Sequence, residues 1–485
     1  MWQQHHQQHL IWMEARRWPK ALMLTCFLLT ISLHAASGTV TGEHEARAQK
    51  LLQENLVPTL EFWKEVRTLN GGRKLTMQNW FKTANVNLGS RFVAFWGIKN
   101  NKVWQLDKDG ELRSSNDAMM LEGKPNRGAA ESMKNSLWLA IEDASAHGVN
   151  LPDVMFMYNS ADGPQCNLGS RMNCSDGTLA PPLSLMGLDV DKVDVLPRSL
   201  QGKPRPKAFP DLLVPVFKNL GYAQYVTVSP GPHHPNIIKR QPRSSWTNIN
   251  RVRAERTAWE QRAPKMFFRG TMYCPYLKFP HPIECPRMYL SNLSIHHQDK
   301  LDIMVMPPTS SIQEEFKIHG WRGAHLPGMQ GWTKFKYIIT IDGLAGSNRD
   351  LALLHMGSVL IKQYRSPYLE WYYNSIKPGV HYEEVFKPRP DGSVNADDAL
   401  DLVDRLRSDD AYARSLAENG LAFARNYLTA EVMFVYLREL LLAYKDLFED
   451  MDAYLSHYPP DTGSSALFTE HARAWQTAPW KAGQR

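Results

Sequence analysis

The sequence predicts an α/β fold, in which short buried strands alternate with helices. Residues 334–363 are the clearest sign, because they contain an apolar β-branched run, a loop of small residues, a run with helical apolar spacing and a second apolar run. That order is typical of a strand–loop–helix–strand unit. The runs at 154–158 and 265–270 have the same buried-strand character. In such folds ligands bind at the carboxyl ends of the strands, so candidate site residues are sought there.

The chain has 485 residues, which is enough for two or three domains, and its composition is that of a globular protein. The net charge is +7 and the sequence pI is about 9.0, but lysine and arginine form no dense block. No DNA- or RNA-binding motif accompanies this charge, so we expect no nucleic-acid partner. The loop at 344–348 lacks the GxxxxGK[ST] pattern, which excludes a P-loop.

The N-terminus predicts entry into the secretory pathway. Arg16, Arg17 and Lys20 precede an apolar run at 21–33, and small residues follow at 35–37. Residues 1–40 therefore read as a cleaved signal peptide or as a short signal-anchor, and the sequence leaves both open. In either case the remainder is expected in the lumen of the ER or the Golgi, in the second case as a type II membrane protein with a single-pass anchor.

The first half of the chain divides into a stem with the first helices at 41–84 and an α/β domain at 85–262. Within this domain we predict a strand at 91–98, a hairpin at 101–112 that turns at 108–110, and a helix at 131–147. The buried strand at 154–158 follows. Pro215 interrupts the apolar run at 212–217 and indicates an edge strand. The stretch 230–243, rich in proline and histidine, is predicted to be a loop.

The second half is predicted to be another α/β domain at 263–450, followed by a loose tail at 451–485. Its elements are a strand at 265–270, a helix that begins near 287, the unit at 334–363 and an aromatic helix at 367–376. A helix from 409 is predicted to end at Gly420, and Thr429 is predicted to cap a long amphipathic helix that reaches about residue 448.

Cysteine usage agrees with an oxidising compartment. Outside the apolar N-terminal segment there are four cysteines, which allow three pairings. We predict the two local disulfides, Cys166–Cys174 and Cys274–Cys285. Glycosylation sequons occur at Asn173 and Asn292.

Two positions at strand ends have side chains suited to chemistry. Asp162 lies in the turn after the 154–158 strand, where a carboxylate can act as a general base. Arg349 follows the small-residue loop after the strand at 335–341, where free N–H groups and a fixed cation suit a diphosphate. The alternative is structural in both cases, since aspartate is common in turns and an exposed arginine is common after a tight loop.

The motifs of the second half, taken in order, resemble a known family. They are Phe267-Phe268-Arg269-Gly270-Thr271, Lys336-Tyr337-Ile338-Ile339, Asp342-Gly343, Ser347-Asn348-Arg349, Gly357-Ser358-Val359, Glu370-Trp371, Lys377-Pro378 and His381-Tyr382. Their order and spacing are similar to those of the capsule-associated-protein-like family, glycosyltransferase family 90, which includes animal protein O-glucosyltransferases and fungal capsule xylosyltransferases. The resemblance covers about residues 85–450 and is strongest from 267 to 442.

The resemblance implies a GT-B fold, with two Rossmann-like domains that face a cleft. It also implies an inverting transfer of glucose or xylose from a UDP-sugar, with no cofactor and no metal ion, to a protein or glycan acceptor. Asp162 matches the family's general base, and Arg349 matches the arginine that binds the donor diphosphate. The other positions that match donor-binding residues are Arg269, Gly270, Thr271, Arg287, Gly346, Ser347 and Glu370.

Three alternatives remain open at the level of sequence. The triplets at 107–109 and 189–191 have the DxD pattern of metal-dependent glycosyltransferases, but they lie outside the matched motifs and favour surface turns. Glu370 either contacts the donor ribose or caps a helix. The region 165–262 departs from the animal enzymes, so the sequence leaves the identity of the acceptor open. The alternative to an enzyme is a non-catalytic sugar-binding or quality-control protein that retains the fold.

Overall fold

The structure is a computed structural model whose described residues form two larger β-sheets, two short strand pairs and the helices around them. The described residues are 39–69, 71–80, 93–106, 112–113, 136–137, 140–159, 164, 180–189, 211–220, 224–231, 234–242, 249–254, 256–272, 285–306, 329–343, 346–347, 349–364, 366–391 and 393–456. The α/β prediction is confirmed. The segment proposed as a signal peptide or anchor lies outside the described residues, apart from 39 and 40, and no helix in the described part of the chain is long and apolar enough to cross a membrane.

The first sheet has six strands in the order β3-β2-β1-β4-β5-β7. The strands are β1 (Val93–Lys99), β2 (Lys102–Leu106), β3 (Leu112–Arg113), β4 (Val154–Asn159), β5 (Leu183–Ser184) and β7 (Leu212–Leu213). The pairs among β1–β4 are antiparallel, whereas β4, β5 and β7 run parallel. The predicted strand at 154–158 is confirmed in the middle of this sheet, and β7 lies at its edge as Pro215 indicated.

The second sheet is entirely parallel, with five strands in the order β11-β10-β12-β13-β15. They are β10 (Ala263–Thr271), β11 (Leu301–Met306), β12 (Phe335–Ile339), β13 (Val359–Gln363) and β15 (Glu383–Val385). The predicted strands at 265–270 and 335–341 are confirmed. Because every strand runs the same way, all their carboxyl ends meet at one edge, and the candidate site lies there.

Helices cover both sheets. They are α1 (Gly42–Asn55), α2 (Val57–Leu69), α3 (Ile249–Ala254), α4 (Pro286–His296), α5 (Asp350–Leu354), α6 (Asp398–Ser408), α7 (Asp410–Tyr427), α8 (Ala430–Lys445) and α9 (Met451–Ser456). Thr429 caps α8 as predicted, since its hydroxyl accepts a hydrogen bond from the Val432 amide.

The C-terminal helices return to the first sheet. The β4 amide of Met157 donates to the Tyr444 hydroxyl of α8, and Lys99 of β1 donates to the carbonyl of Leu455 on α9. Helix α1, predicted to belong to a stem, packs against α8 and buries Ala48, Leu51 and Leu52 in the same core. A bidentate ion pair joins the two helices, with the Arg438 guanidinium nitrogens 2.8 and 3.0 Å from the Glu45 carboxylate oxygens. The first sheet and the C-terminus therefore share one core.

A short strand pair connects the two halves beside the candidate site. Strand β6 (Gly187–Leu188) pairs antiparallel with β14 (Tyr368–Leu369), and the Asp189 amide donates to the Pro367 carbonyl at 2.7 Å. The predicted helix at 367–376 is therefore wrong, because pairing with the first half draws this segment into a strand. Only Tyr373–Ser375 forms a 3₁₀ turn.

Two further local predictions are corrected by tertiary contacts, and a third is confirmed. Helix α7 continues through Gly420 and does not end there. A Cβ at this position would lie 2.9 Å from the His381 carbonyl oxygen, so the glycine allows the helix to pack closely against residue 381. The stretch 230–243 contains a strand, β9 (His234–Pro242), that pairs with β8 (Gln224–Gly231). The antiparallel pairing of β2 with β3 confirms the predicted hairpin, but an unpredicted turn at Asn100 and Asn101, both with positive φ, joins β1 to β2.

Candidate active site

A narrow polar cleft lies at the carboxyl edge of the second sheet, where β12 and β13 end. Its free volume is about 10 Å³, roughly the space that one water molecule needs, so a sugar would require the cleft to open. Its lining combines strand-end residues, the loop before α5 and the segment that follows β13. The lining residues are Met186, Thr340, Asp342, Ser347, Asp350, Lys362, Gln363, Ser366, Tyr368, Glu370 and Tyr373.

One wall of the cleft is a buried charged network built on Asp350, the first residue of α5. Its Oδ2 accepts hydrogen bonds from Lys362 Nζ at 3.0 Å and from the Tyr373 hydroxyl at 2.6 Å. The Lys362 ammonium also lies 3.3 Å from the centre of the Tyr373 ring. These side chains hold one another in place, which is the rigidity that a preorganised binding site requires.

Several buried oxygens of the cleft have no hydrogen-bond partner among the described residues. They are Thr340 Oγ1, Asp342 Oδ2, Asp350 Oδ1 and Glu370 Oε2. Buried polar atoms are almost always paired, and leaving one unpaired costs about 1–3 kcal/mol. Four such atoms around one cleft are therefore the signature of a ligand-binding site, and the carboxyl oxygens are acceptors suited to hydroxyl groups.

Two carboxyl groups of the cleft have raised pKa values. Burial raises the pKa of Asp342 to about 6. Burial also raises the pKa of Glu370 well above its usual value, and the negative charge of Asp350 adds to that shift, while Lys362 and the hydroxyl groups of Tyr372 and Tyr373 act against it. Removal from water is thus the main influence on both groups.

Arg349 lies next to the cleft, on the loop that leads into α5. Its Nη1 donates to the Arg269 carbonyl at 2.9 Å, its Nε lies 3.4 Å from Ser347 Oγ, and its Nη2 has no partner among the described residues. The guanidinium lies over the rings of Phe268 and Trp332, at 5.1 and 5.5 Å. Desolvation lowers the pKa of Arg349 to about 10, which leaves the group positively charged at neutral pH. It is a fixed cation with donors to spare.

Gly346 and Ser347 were predicted to lie beside the arginine, and Ser347 lines the cleft. A Cβ at Gly346 would lie 2.6 Å from Cβ of Tyr368 and 3.1 Å from the Met186 sulfur. Only glycine allows the loop to approach the β6–β14 junction this closely. The first half of the chain thus contributes directly to the cleft, through Met186.

Arg287 joins two strand ends at the same edge. Its guanidinium donates to the Thr271 carbonyl at 2.7 Å and to the Ile341 carbonyl at 2.8 Å. It also lies 3.7 Å from the position that a Cβ on Gly270 would take. In this arrangement Arg287 braces the ends of β10 and β12.

Arg269 is engaged on the far side of β10. Its Nη2 forms an ion pair with Asp302 at 2.6 Å, and its Nη1 donates to the Phe268 and Asp302 carbonyls. The side chain is therefore held against β11 and does not line the cleft, although its carbonyl anchors Arg349. Its role in binding a ligand stays a prediction, as do those of Gly270 and Thr271.

The carboxyl edge of the first sheet carries a buried chain of hydrogen bonds. Asn159 at the end of β4 donates to Ser184 Oγ at 2.9 Å, and the Ser184 hydroxyl in turn donates to Asp211; all three residues are buried. Asp162, predicted as the general base, lies outside the described residues, three positions after Asn159.

Sequence reasoning missed most of the acidic network in the cleft. Asp350, Lys362 and Tyr373 were not among the predicted site residues. A lysine in the apolar run 359–363 is the one local signal that could have found it, because a buried lysine needs a carboxylate partner.

Three other predictions concern metal ions, disulfides and glycans. No group of three or more potential metal ligands occurs among the described residues. Cys285 is disulfide-bonded, while its predicted partner Cys274 lies outside the described residues, as do Cys166 and Cys174. Asn292 is exposed on α4, and Asn173 is not described. The predicted pairings and glycans stay predictions.

Comparison with known proteins agrees with the resemblance. The model of Glycosyl transferase family 90 matches residues 236–452. Protein O-glucosyltransferase 3 of Homo sapiens is 26% identical over 189 residues, which are 39% of this chain and 33% of the relative. Protein O-glucosyltransferase 2 of Danio rerio is 32% identical over 114 residues, or 24% of this chain and 21% of the relative. For protein O-glucosyltransferase 1 of Homo sapiens the identity is 31% over 111 residues, or 23% and 26%. The matches span a third or less of these relatives.

Proposed function

Because residues 236–452 belong to glycosyltransferase family 90, we propose that the protein transfers a sugar from a UDP-sugar to a hydroxyl group of a protein or glycan acceptor. Glucose and xylose are the proposed sugars, and the anomeric configuration is inverted. The enzyme acts in the lumen of the secretory pathway.

The observation that carries this proposal is the set of unpartnered oxygens in the cleft. Thr340, Asp342, Asp350 and Glu370 all line one narrow space at the carboxyl edge of a parallel sheet, and each has one such oxygen. A ribose or hexose presents several hydroxyl donors at once and would satisfy these acceptors. The tyrosine rings at 368 and 373 add apolar surface of the kind that packs on a sugar or a base.

The leaving diphosphate is stabilised by cation and backbone donors. Arg349 does not line the cleft, but its Nε lies 3.4 Å from the hydroxyl of Ser347, which does, and its Nη2 is unpartnered among the described residues. Charge that develops on the leaving UDP is best stabilised by donors that are already in place. We propose that Arg349 supplies this role without a metal ion, and that transfer is therefore insensitive to EDTA.

The first half supplies the base in this proposal. Asp162 removes the proton of the acceptor hydroxyl, and the oxygen attacks the anomeric carbon as the bond to UDP breaks. Chain length supports this assignment, because three residues from Asn159 span at most about 10 Å. Asn159 pairs in register with Ser184, which is two residues before Met186 of the cleft. In this proposal the two halves face each other across the cleft, as in a GT-B fold.

A secretory location is proposed on two grounds. Residues 1–40 have the pattern of a signal peptide or anchor. In addition, Cys285 is disulfide-bonded, and disulfides persist mainly in oxidising compartments.

The test is a donor screen on the purified full chain. Radiolabelled UDP-glucose, UDP-xylose, UDP-galactose and GDP-mannose are each incubated with secretory glycoproteins, and label in precipitated protein and released nucleotide are both measured. We expect turnover with UDP-glucose or UDP-xylose, unchanged by EDTA. If a UDP-sugar binds but no label is transferred with any donor, the chain is a sugar-binding protein and the enzymatic proposal is overturned.

A further inference from the structure

A second cavity lies at the amino edge of the second sheet, on the side away from the cleft. It contains about 630 Å³ of space, part of it open to solvent. The segment 256–262, which leads into β10, forms one wall, while Gly357 and one face of α7 form the others. Since β13 has five residues, a strand of about 3.3 Å per residue separates the two cavities by about 16 Å. The two sites are therefore distinct.

Three arginines line this cavity: Arg256, Arg262 and Arg414. Arg262 is buried and uses its guanidinium to hold the fold, with donors to the carbonyls of Thr257, Met356 and Gly357. It carries its charge into the wall without a carboxylate partner among the described residues. Carbonyl oxygens satisfy its N–H groups but do not neutralise its charge.

The acidic groups of this surface are already used. Arg414 forms ion pairs with Glu260 at 3.0 Å and with Glu418 at 2.9 Å, and both glutamates are largely exposed. Arg256 is half-buried, and no hydrogen bond or ion pair joins it to any described residue. Its guanidinium instead lies 3.7 Å from the position of a Cβ on Gly357, whose carbonyl Arg262 binds. Two cations thus stand close together with no anion between them in the described part of the chain.

Neighbouring cations disfavour one another's charge. Burial, and then the charge of Arg425, lower the pKa of both Arg253 and Arg256; Arg256 also lowers that of Arg253, while Glu431 acts against the shift of Arg253. Burial and the nearby Arg256 lower the pKa of Arg262 to about 10. A bound anion would relieve this repulsion, which is the usual reason for arginines to gather in a cavity.

We propose that this arginine-lined cavity, which we call the amino-edge pocket, binds a phosphate or sulfate group carried by a small molecule or by a glycan. The guanidinium of Arg256 binds the oxyanion. Arg262 adds a fixed positive charge to the wall of the pocket, and Trp259 adds an apolar surface. A tetrahedral oxyanion matches the bidentate geometry of a guanidinium. The pocket is independent of the transfer reaction and is used whether or not the donor is bound.

The test measures oxyanion binding to the full chain by isothermal titration calorimetry, with the donor cleft filled by saturating UDP. The probes are inorganic phosphate, glucose 6-phosphate and glucose 6-sulfate. We expect binding that Arg256→Gln weakens about tenfold or more, because one charge-assisted pair is lost. Arg389→Gln, at an exposed arginine elsewhere in the second half, is the matched control and should bind as the wild type does.

Each outcome bears on the proposal. Stronger binding of the sugar esters than of phosphate identifies a carried group as the ligand, and equal binding identifies the free anion. Arg256→Lys should bind with intermediate affinity if the fork matters. If no probe binds at millimolar concentration, or if Arg256→Gln binds as the wild type does while its unfolding temperature is unchanged, the amino-edge pocket is not an oxyanion site.

Discussion

The carboxyl edges of the two sheets differ in how their polar groups are satisfied. At the first sheet Asn159, Ser184 and Asp211 form a buried chain of hydrogen bonds. At the second sheet Asp350 and Glu370 each have a buried oxygen without a partner among the described residues, beside the contacts that they do make. Paired polar groups fix structure, while unpaired acceptors are available to a ligand. The comparison suggests that the second sheet binds the donor and that the first sheet positions the residues that come after Asn159.

The sharpest way to break this comparison is Asp162→Asn. If Asp162 is the base of the first half, transfer should fall about 10²- to 10⁴-fold, since the amide cannot accept the proton. UDP binding should survive, because the substitution leaves the second sheet untouched. The measurement is sugar transfer at saturating donor, together with UDP titration.

Asp153→Asn is the matched control, since Asp153 lies at the opposite end of β4 and accepts a hydrogen bond from the Asn100 amide. It should affect stability more than transfer. Undiminished transfer by the Asp162 variant would remove this residue from the base role and leave the first sheet without an assigned chemistry.

The next effect concerns the cation of the second half. Arg349→Gln should raise the KM for the UDP-sugar about 10- to 100-fold, because a charge-assisted contact to the diphosphate is lost. Arg349→Lys keeps the charge without the fork and should lie between the two. An unchanged donor KM in Arg349→Gln, with Arg389→Gln as control, would separate Arg349 from donor binding.

A smaller effect probes how the halves are joined. His147, before β4, lies 3.3 Å from Asp143 and 3.8 Å from Glu431 of α8. The carboxylates of Asp143 and Glu431, that of Asp143 most strongly, raise the pKa of His147 to about 9, and His147 lowers the pKa of Glu431 to about 2. After allowance for solvent screening, His147→Gln should reduce the free energy of unfolding by about 1–2 kcal/mol.

The sign of the pH dependence follows from these shifts. Because the pKa of His147 is raised in the folded state, its protonation stabilises the fold fully below about pH 6.5, and this stabilisation is lost as the pH rises through about 9. Because the pKa of Glu431 is lowered in the folded state, its ionisation stabilises the fold fully above about pH 4.5, and this stabilisation is lost as the pH falls through about 2. The difference between wild type and His147→Gln in urea unfolding should therefore be largest near pH 5–6 and vanish above pH 9. A constant difference would show that the loss is one of packing alone.

Sequence reasoning predicted elements whose pattern is local. The apolar runs that became β4, β10 and β12 and the Thr429 cap were all confirmed, because burial and capping leave direct marks on neighbouring residues. It did not predict elements decided by distant contacts. The local pattern predicts a helix end at Gly420, but the glycine is explained by its close contact with His381. It also predicts a helix at 367–376, but pairing with β6 places a strand there.

The same distinction holds in the site. Ser347 and Glu370 were predicted and line the cleft. The partner of a charged side chain is not written in local spacing, so the engagement of Arg269 with Asp302 and the Asp350–Lys362 pair became visible only in three dimensions. Predicting them would require knowing that β10 and β11, or α5 and β13, are neighbours.

The return of α8 and α9 to the first sheet has a consequence for biosynthesis. Strand β4 is made early, yet Met157 and Met155 reach their partners Tyr444 and Met451 only after nearly 300 further residues have been made. The N-terminal sheet therefore keeps an apolar face exposed until these residues have left the ribosome. Chaperones that hold nascent chains should be needed most during this interval, and truncation before residue 444 should leave both halves unable to mature.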